Sequence, residues 1–267
     1  MSAPKIGVFD SGVGGLTVLK ELVSLLPAAE YLYFGDTARL PYGSKSMETV
    51  AKYAISSAKF LETRGIDLLV IACNTATALA LEQIKAAVGV PVVGVVEPGA
   101  QRADEATRNR NTVVIGTEAT ISSHAYQRAL AARGLTVREK ACPLFVPLVE
   151  EGWIEHPVTE QVARIYLDEA FADGFRKADV LLLGCTHYPL LKPLLHRVVA
   201  ESVTIVDSAE STAHAVAEKL VVTKKKSETR NSKLHFFATD SVEKFRRAGE
   251  RFLGCRIEDV KHVDIEG

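Results

Sequence analysis

Short apolar runs alternate along the chain with stretches in which apolar residues recur at helical spacing. Residues 6–10 form a strand-like run. Residues 16–26 follow, with Leu16, Leu19, Leu22, Val23 and Leu26 on one side of a helix. The same reading predicts strands at 31–35, 68–73, 92–96, 112–116, 180–185, 204–207 and 235–238. It predicts helices at 47–64, 77–87, 121–133, 161–173, 190–200, 209–219 and 242–252. Alternation of this kind predicts an α/β protein with mainly parallel sheets flanked by helices. Residues 223–233 (TKKKSETRNSK) are polar and charged and read as an exposed loop. They lack the interleaved aromatics of a nucleic-acid surface.

Two echoes interrupt this regular pattern. VIACNTAT surrounds Cys73 and LLLGCTHYP surrounds Cys185, each an apolar strand, a cysteine, a polar pair and a helix. VFDSG at Asp10 is matched by IVDSAE at Asp207. The echoes suggest two similar α/β halves facing each other.

Composition narrows the classes. A length of 267 residues suffices for one large or two medium domains. Hydrophobic residues at 47% and charged residues at 24% are ordinary soluble usage, and a net charge of -1 argues against a nucleic-acid or membrane surface. The N-terminus shows no basic segment followed by a long apolar one, and no apolar run reaches a membrane span. A cytoplasmic location is expected.

The four cysteines form no C-x-x-C pair, so zinc and dithiol redox spacing is missing, and no metal site is predicted. A disulfide framework does not suit a chain of this size without an export signal. Cys142 and Cys255 read as small buried hydrophobes. Cys73 and Cys185 each sit where a buried strand ends and a helix begins, the edge at which open α/β sheets bind ligands. Asn74, Thr75 or Thr77 can cap the helix after Cys73, and Thr186 the one after Cys185, with Pro189 near its first turn. A helix N-terminus is expected to lower a thiol pKa from its usual value of about 8.5.

A cysteine hydrolase needs one thiol and one base, and a redox pair needs adjacent thiols. Taking a proton from one face of a carbon and returning one to the other needs two acid/base groups. His187 is the natural partner for Cys185 and Asp10 for Cys73, although a helix cap and a turn residue are alternative readings of the two. The loop DSGVGGLT is not a dinucleotide fingerprint, because Thr17 stands where the last glycine of G-x-G-x-x-G would be. Its backbone N–H groups still suit an anion. Ser11, Asn74, Thr75, Thr117, Thr120 and Thr186 add neutral hydrogen-bonding groups suited to a small zwitterion with carboxylates.

The segments GVFDSGVGGLTVL, YFGDTARLPYGSKS, ACNTATA, GVVEPG, VIGTEATISS, CPLFVPLVEEG and LLLGCTHYPLLKP resemble the glutamate racemases of bacterial cell-wall synthesis, within the aspartate/glutamate racemase superfamily. The likeness runs from residue 6 to about 211, and GCTHYP rather than GCTE points to the glutamate branch. The resemblance implies two α/β domains, 1–97 plus 210–267 and 98–209, with the active site in the cleft between them. It implies a cofactor-free glutamate racemase, a homodimer, that supplies D-glutamate for peptidoglycan. Cys73 and Cys185 would carry the proton, and Asp10 and His187 would tune them. Glu150 would stand near Cys185, with Glu151 beside it in the chain. Asp10, Ser11, Tyr42, Gly43, Asn74, Thr75, Thr186 and His187 would contact substrate, and Thr117 and Thr120 would hold a carboxylate. Other readings are a racemase of another amino acid, a single-cysteine hydrolase, or a racemase-like inhibitor of a nucleic-acid enzyme.

Overall fold

The computed structural model describes residues 3–222 and 232–265. Two parallel sheets organise them. The first takes β1 (Lys5–Asp10), β2 (Glu30–Gly35), β3 (Leu68–Ile71) and β4 (Val92–Gly94) from the N-terminal part of the chain. The second is built from β5 (Asn111–Gly116), β6 (Thr136–Ala141), β7 (Val180–Gly184) and β8 (Thr204–Asp207). The chain then returns to the first sheet with β9 (Lys233–Ala238) and β10 (Val260–His262). The strand orders are β10-β9-β2-β1-β3-β4 and β6-β5-β7-β8, and every pairing is parallel.

The central strands are buried on both faces, which is why they read as continuous apolar runs rather than alternating ones. Ile6, Val8 and Phe9 of β1, Val70 and Ile71 of β3, and Leu181, Leu182 and Leu183 of β7 are fully buried. Helices cover both faces. Helix Ala209–Val222 packs against Leu16–Leu25 and against Val96–Ala106, tying the two sheet systems together.

The expected elements differ from the structure at informative places. Residues 121–133 are two short helices, Glu118–Ser122 and Ala125–Ala131, because His124 takes a left-handed backbone at φ 54. Helix Val96–Ala106 is not among the expected helices; Pro98 is tolerated in it because first-turn N–H groups need no intrahelical acceptor. Strand β6, TVREKA, lacks an apolar run because it is a partly exposed edge strand. Cys255 is exposed, not buried, since it lies beyond the helix Val242–Leu253 and its left-handed Gly254 cap. Of the expected loop 223–233, residues 223–231 lie outside the described residues, and Lys233 already opens β9. Among the described residues, no helix is long and apolar enough to cross a membrane.

Gly35, at the end of β2, shows how tightly the first sheet meets its neighbours. A Cβ there would collide with the Gly12 carbonyl oxygen and lie 2.8 Å from the Phe245 ring. Gly35→Ala is expected to lower the unfolding free energy by about 1–3 kcal/mol, as overpacking does. Urea titration of the variant beside the parent chain measures this.

Candidate active site

The carboxyl ends of the two sheets turn toward one cavity of about 480 Å³. Cys73 follows β3 and Cys185 follows β7, so the cysteines reach its wall from different sheets. Ser11, Tyr42, Gly43, Asn74, Thr75, Thr117, Glu150, Thr186 and His187 line it as well. Asp10 and Thr120 are not on the wall: both are buried just behind it.

On the first wall, Cys73 caps the following helix itself. Its sulfur accepts from Ala76 N–H at 3.4 Å, so the expected caps Asn74, Thr75 and Thr77 lie inside the helix. Cys73 Sγ also meets Ser11 Oγ at 3.6 Å. Asp10 Oδ2 accepts the Gly12 N–H at 2.9 Å, the turn role open to it from sequence. Asp10 Oδ1 is buried with no partner among the described residues. Burial raises the Asp10 pKa, with His187 and the backbone N–H groups of Gly12, Gly15 and Ser11 working against it. Burial, and then the charge of Asp10, push the Cys73 thiol up to about 12. The helix N-terminus was expected to lower it; desolvation outweighs that effect here.

The second wall has a different chemistry. His187 Nδ1 lies 3.9 Å from Cys185 Sγ, and its Nε2 lies 3.3 Å from Glu150 Oε1. Burial alone would lower the imidazole pKa. The contacts with Cys185 and Glu150, and the Asp10 charge, outweigh it and push His187 up to about 10. The hydrogen bond to His187 holds the Glu150 carboxyl below its usual range against burial, with help from Lys244. Of the neighbours Glu150 and Glu151, Glu150 is therefore the one at the imidazole. Phe252 packs edge-on to the His187 ring at 5.1 Å.

Hydroxyls join the two walls. Thr75 Oγ1 is 2.9 Å from Thr117 Oγ1 and 3.1 Å from Thr120 Oγ1, and Thr117 and Thr120 are 2.9 Å apart. Thr120 thus reaches the cavity only through Thr75 and Thr117. The Tyr42 hydroxyl is donated to Asp36 Oδ2 at 2.6 Å, which leaves its ring and backbone to line the cavity. Gly43 lies against Thr117, where a Cβ would come within 2.8 Å of the threonine Cβ.

The helix Val242–Leu253 supplies wall residues that the motifs did not announce. Ser241, Lys244, Phe245 and Ala248 share a face at helical spacing and line the cavity. That periodicity was legible in the sequence, but its destination was not. Among the described residues, no three His, Cys, Asp or Glu side chains gather as metal ligands would.

The sequence pattern of the Asp/Glu/Hydantoin racemase family matches residues 6–216. A glutamate racemase of Koribacter versatilis is 56% identical, covering 99% of this chain and 98% of its own length. A glutamate racemase of Geobacter metallireducens is 51% identical over 98% of this chain and 97% of its own. The crystal structure of Francisella tularensis glutamate racemase in complex with D-glutamate superposes with a TM-score of 0.91 at 36% identity, covering 99% of this chain and 98% of that one. Glutamate racemase isoform RacE1 from Bacillus anthracis gives 0.93 at 38% identity, with the same coverage of 99% and 98%. With the two cysteines lining one cavity from different sheets and near full-length likeness to these enzymes, the chain belongs to the Asp/Glu/hydantoin racemase family.

Proposed function

We propose that this chain interconverts L- and D-glutamate by passing the Cα proton between Cys73 and Cys185 without a cofactor, and that the D-glutamate serves peptidoglycan synthesis. The observation that carries the reading is that two cysteines from different sheets line one cavity. In each direction a thiolate on one wall takes the Cα proton, and a thiol on the other delivers a proton to the opposite face. The electron pair left by C–H cleavage spreads onto the α-carboxylate, where hydrogen-bond donors stabilise it. Ser11, Asn74, Thr75, Thr117, Thr186 and the backbone of Tyr42–Gly43 are the candidate donors on the wall. Asn74 Nδ2 has no partner among the described residues and suits a carboxylate.

Asp10 and His187 act as proton-tuning groups in this reading. Asp10 adds negative charge beside Cys73, and its unpartnered Oδ1 is free to accept a proton. His187, cationic near neutral pH, is placed to give its Nδ1 proton to Cys185 and, once neutral, to take one back, with Glu150 holding the far nitrogen. Residues 1–97 plus 210–267 and residues 98–209 are then the two domains that enclose substrate. A homodimer in the cytoplasm belongs to the same reading.

Cys73→Ala or Cys185→Ala should cut racemisation by about 10²-fold to 10⁴-fold or more, the contribution of a positioned acid/base group. Circular dichroism of L-glutamate with the purified protein alone follows the reaction, and full activity in either variant overturns the two-thiol mechanism. Aspartate and hydantoins in the same assay test the substrate. Single Cys→Ser variants should still exchange the Cα hydrogen in deuterated water from one enantiomer.

His187 also makes stability depend on pH. Its pKa rises from 6.5 to about 10 on folding, so its contribution is complete below about 6.5 and lost as pH climbs through about 10. Thermal midpoints of the parent and of His187→Asn should therefore converge between pH 7 and 10.

A further inference from the structure

We infer that Tyr126 is a positioning residue that orients the Asn74 amide, so that its NH2 end is presented to a substrate carboxylate. The inference rests on the proposed function and deepens it. Tyr126 lies on helix Ala125–Ala131 beside the second sheet, whereas Asn74 opens helix Asn74–Ala87 of the first. Tyr126 is fully buried and does not line the cavity. Its hydroxyl donates to Asn74 Oδ1 at 2.6 Å. Ser208 lies close to the same hydroxyl, both flanking Gly99.

An amide side chain has an acceptor end and a donor end, and a phenol has one proton to give. With that proton committed to Oδ1, the NH2 end must face elsewhere. It is buried and has no partner among the described residues, and Asn74 lies on the cavity wall. An unpaired buried donor is costly, so it marks a place where a ligand acceptor completes the site. The opposite rotamer would turn the amide oxygen toward the cavity and repel a carboxylate.

Tyr126 is itself held by close contacts that a phenyl ring preserves. A Cβ at Gly184, next to Cys185, would lie 3.0 Å from Tyr126 Cε2. A Cβ at Gly99 would lie 3.4 Å from Tyr126 Oη and 3.2 Å from Ser208 Cβ. The glycines of the VEPG and LLLGC segments thus make room for this ring. Tyr126→Phe keeps the packing and removes only the hydroxyl.

The experiment compares Tyr126→Phe, Asn74→Ala and the double variant in the full chain. It reads kcat and KM for glutamate, the pH profile of kcat, and the thermal midpoint. Tyr126→Phe should raise KM about tenfold, the loss expected for one well-placed hydrogen bond. The kcat should change less, its pH profile should stay in place, and the midpoint should stay within a few degrees. Asn74→Ala should raise KM at least as much, and adding Tyr126→Phe to it should change KM by under about twofold. Asn74→Asp, which presents oxygen to the cavity while leaving Tyr126 intact, should also raise KM. An unchanged KM in Tyr126→Phe, with a raised KM in Asn74→Ala, overturns the positioning role but leaves the substrate reading standing. Additive effects in the double variant overturn it too. Unchanged KM in both Asn74 variants overturns the positioning role and the assignment of Asn74 to substrate together.

Discussion

The site depends on a contact in which a glycine leaves no room for a side chain. Gly14, in the loop after β1, lies against Thr186 and His187, and a Cβ there would be 2.5 Å from His187 Nδ1. Thr17 Oγ1 reaches the Thr186 carbonyl at 3.3 Å across the same gap. This closeness brings the charge of Asp10 from the first sheet onto the imidazole of the second. A side chain between them would hold the carboxyl edges apart and let water in. Each charge effect at the site would then weaken, because Coulomb interactions fall as the local dielectric rises.

The neighbouring titratable groups make the two walls differ despite the echo in their sequences and the similar burial of the two cysteines. Around Cys73 the neighbouring titratable group is a carboxyl, so burial and like charge both favour the thiol. Around Cys185 the neighbour is an imidazole backed by Glu150. The same backbone device, a cysteine just past a parallel strand, thus carries opposite polarity on the two sides. A reaction whose direction reverses with the enantiomer needs two such thiols on opposite faces of one carbon.

The C-terminal segment closes the cavity and latches its rim. Thr37 Oγ1 donates to the Asp240 carbonyl at 2.6 Å, Ala38 N–H reaches Thr239 Oγ1 at 2.9 Å, and Arg39 binds the Ile265 carbonyl. Buried Asp36 accepts from Tyr42 and from Thr239 at 3.0 Å. The loop before Gly43 is therefore fastened to residues some two hundred positions later. No local signal in DTARLPYGSKS announces that attachment.

Much of the fold was legible because parallel strands buried on both faces leave continuous apolar runs, as at Leu68–Ile71 and Val180–Gly184. The strand-end positions of Cys73 and Cys185 followed from the same runs. Edge strands β6 and β10 were illegible because exposure removes the apolar signal, as at Lys261 and His262 of β10. What the local sequence determined by itself was therefore the alternation of elements and the chemistry carried at strand ends. The tertiary structure alone decided that Cys73 caps its own helix, that Glu150 rather than Glu151 meets His187, and that the Val242–Leu253 helix walls the cavity. These depend on distances between segments far apart in the chain and on how much water their packing removes, and neither quantity is encoded in a local pattern.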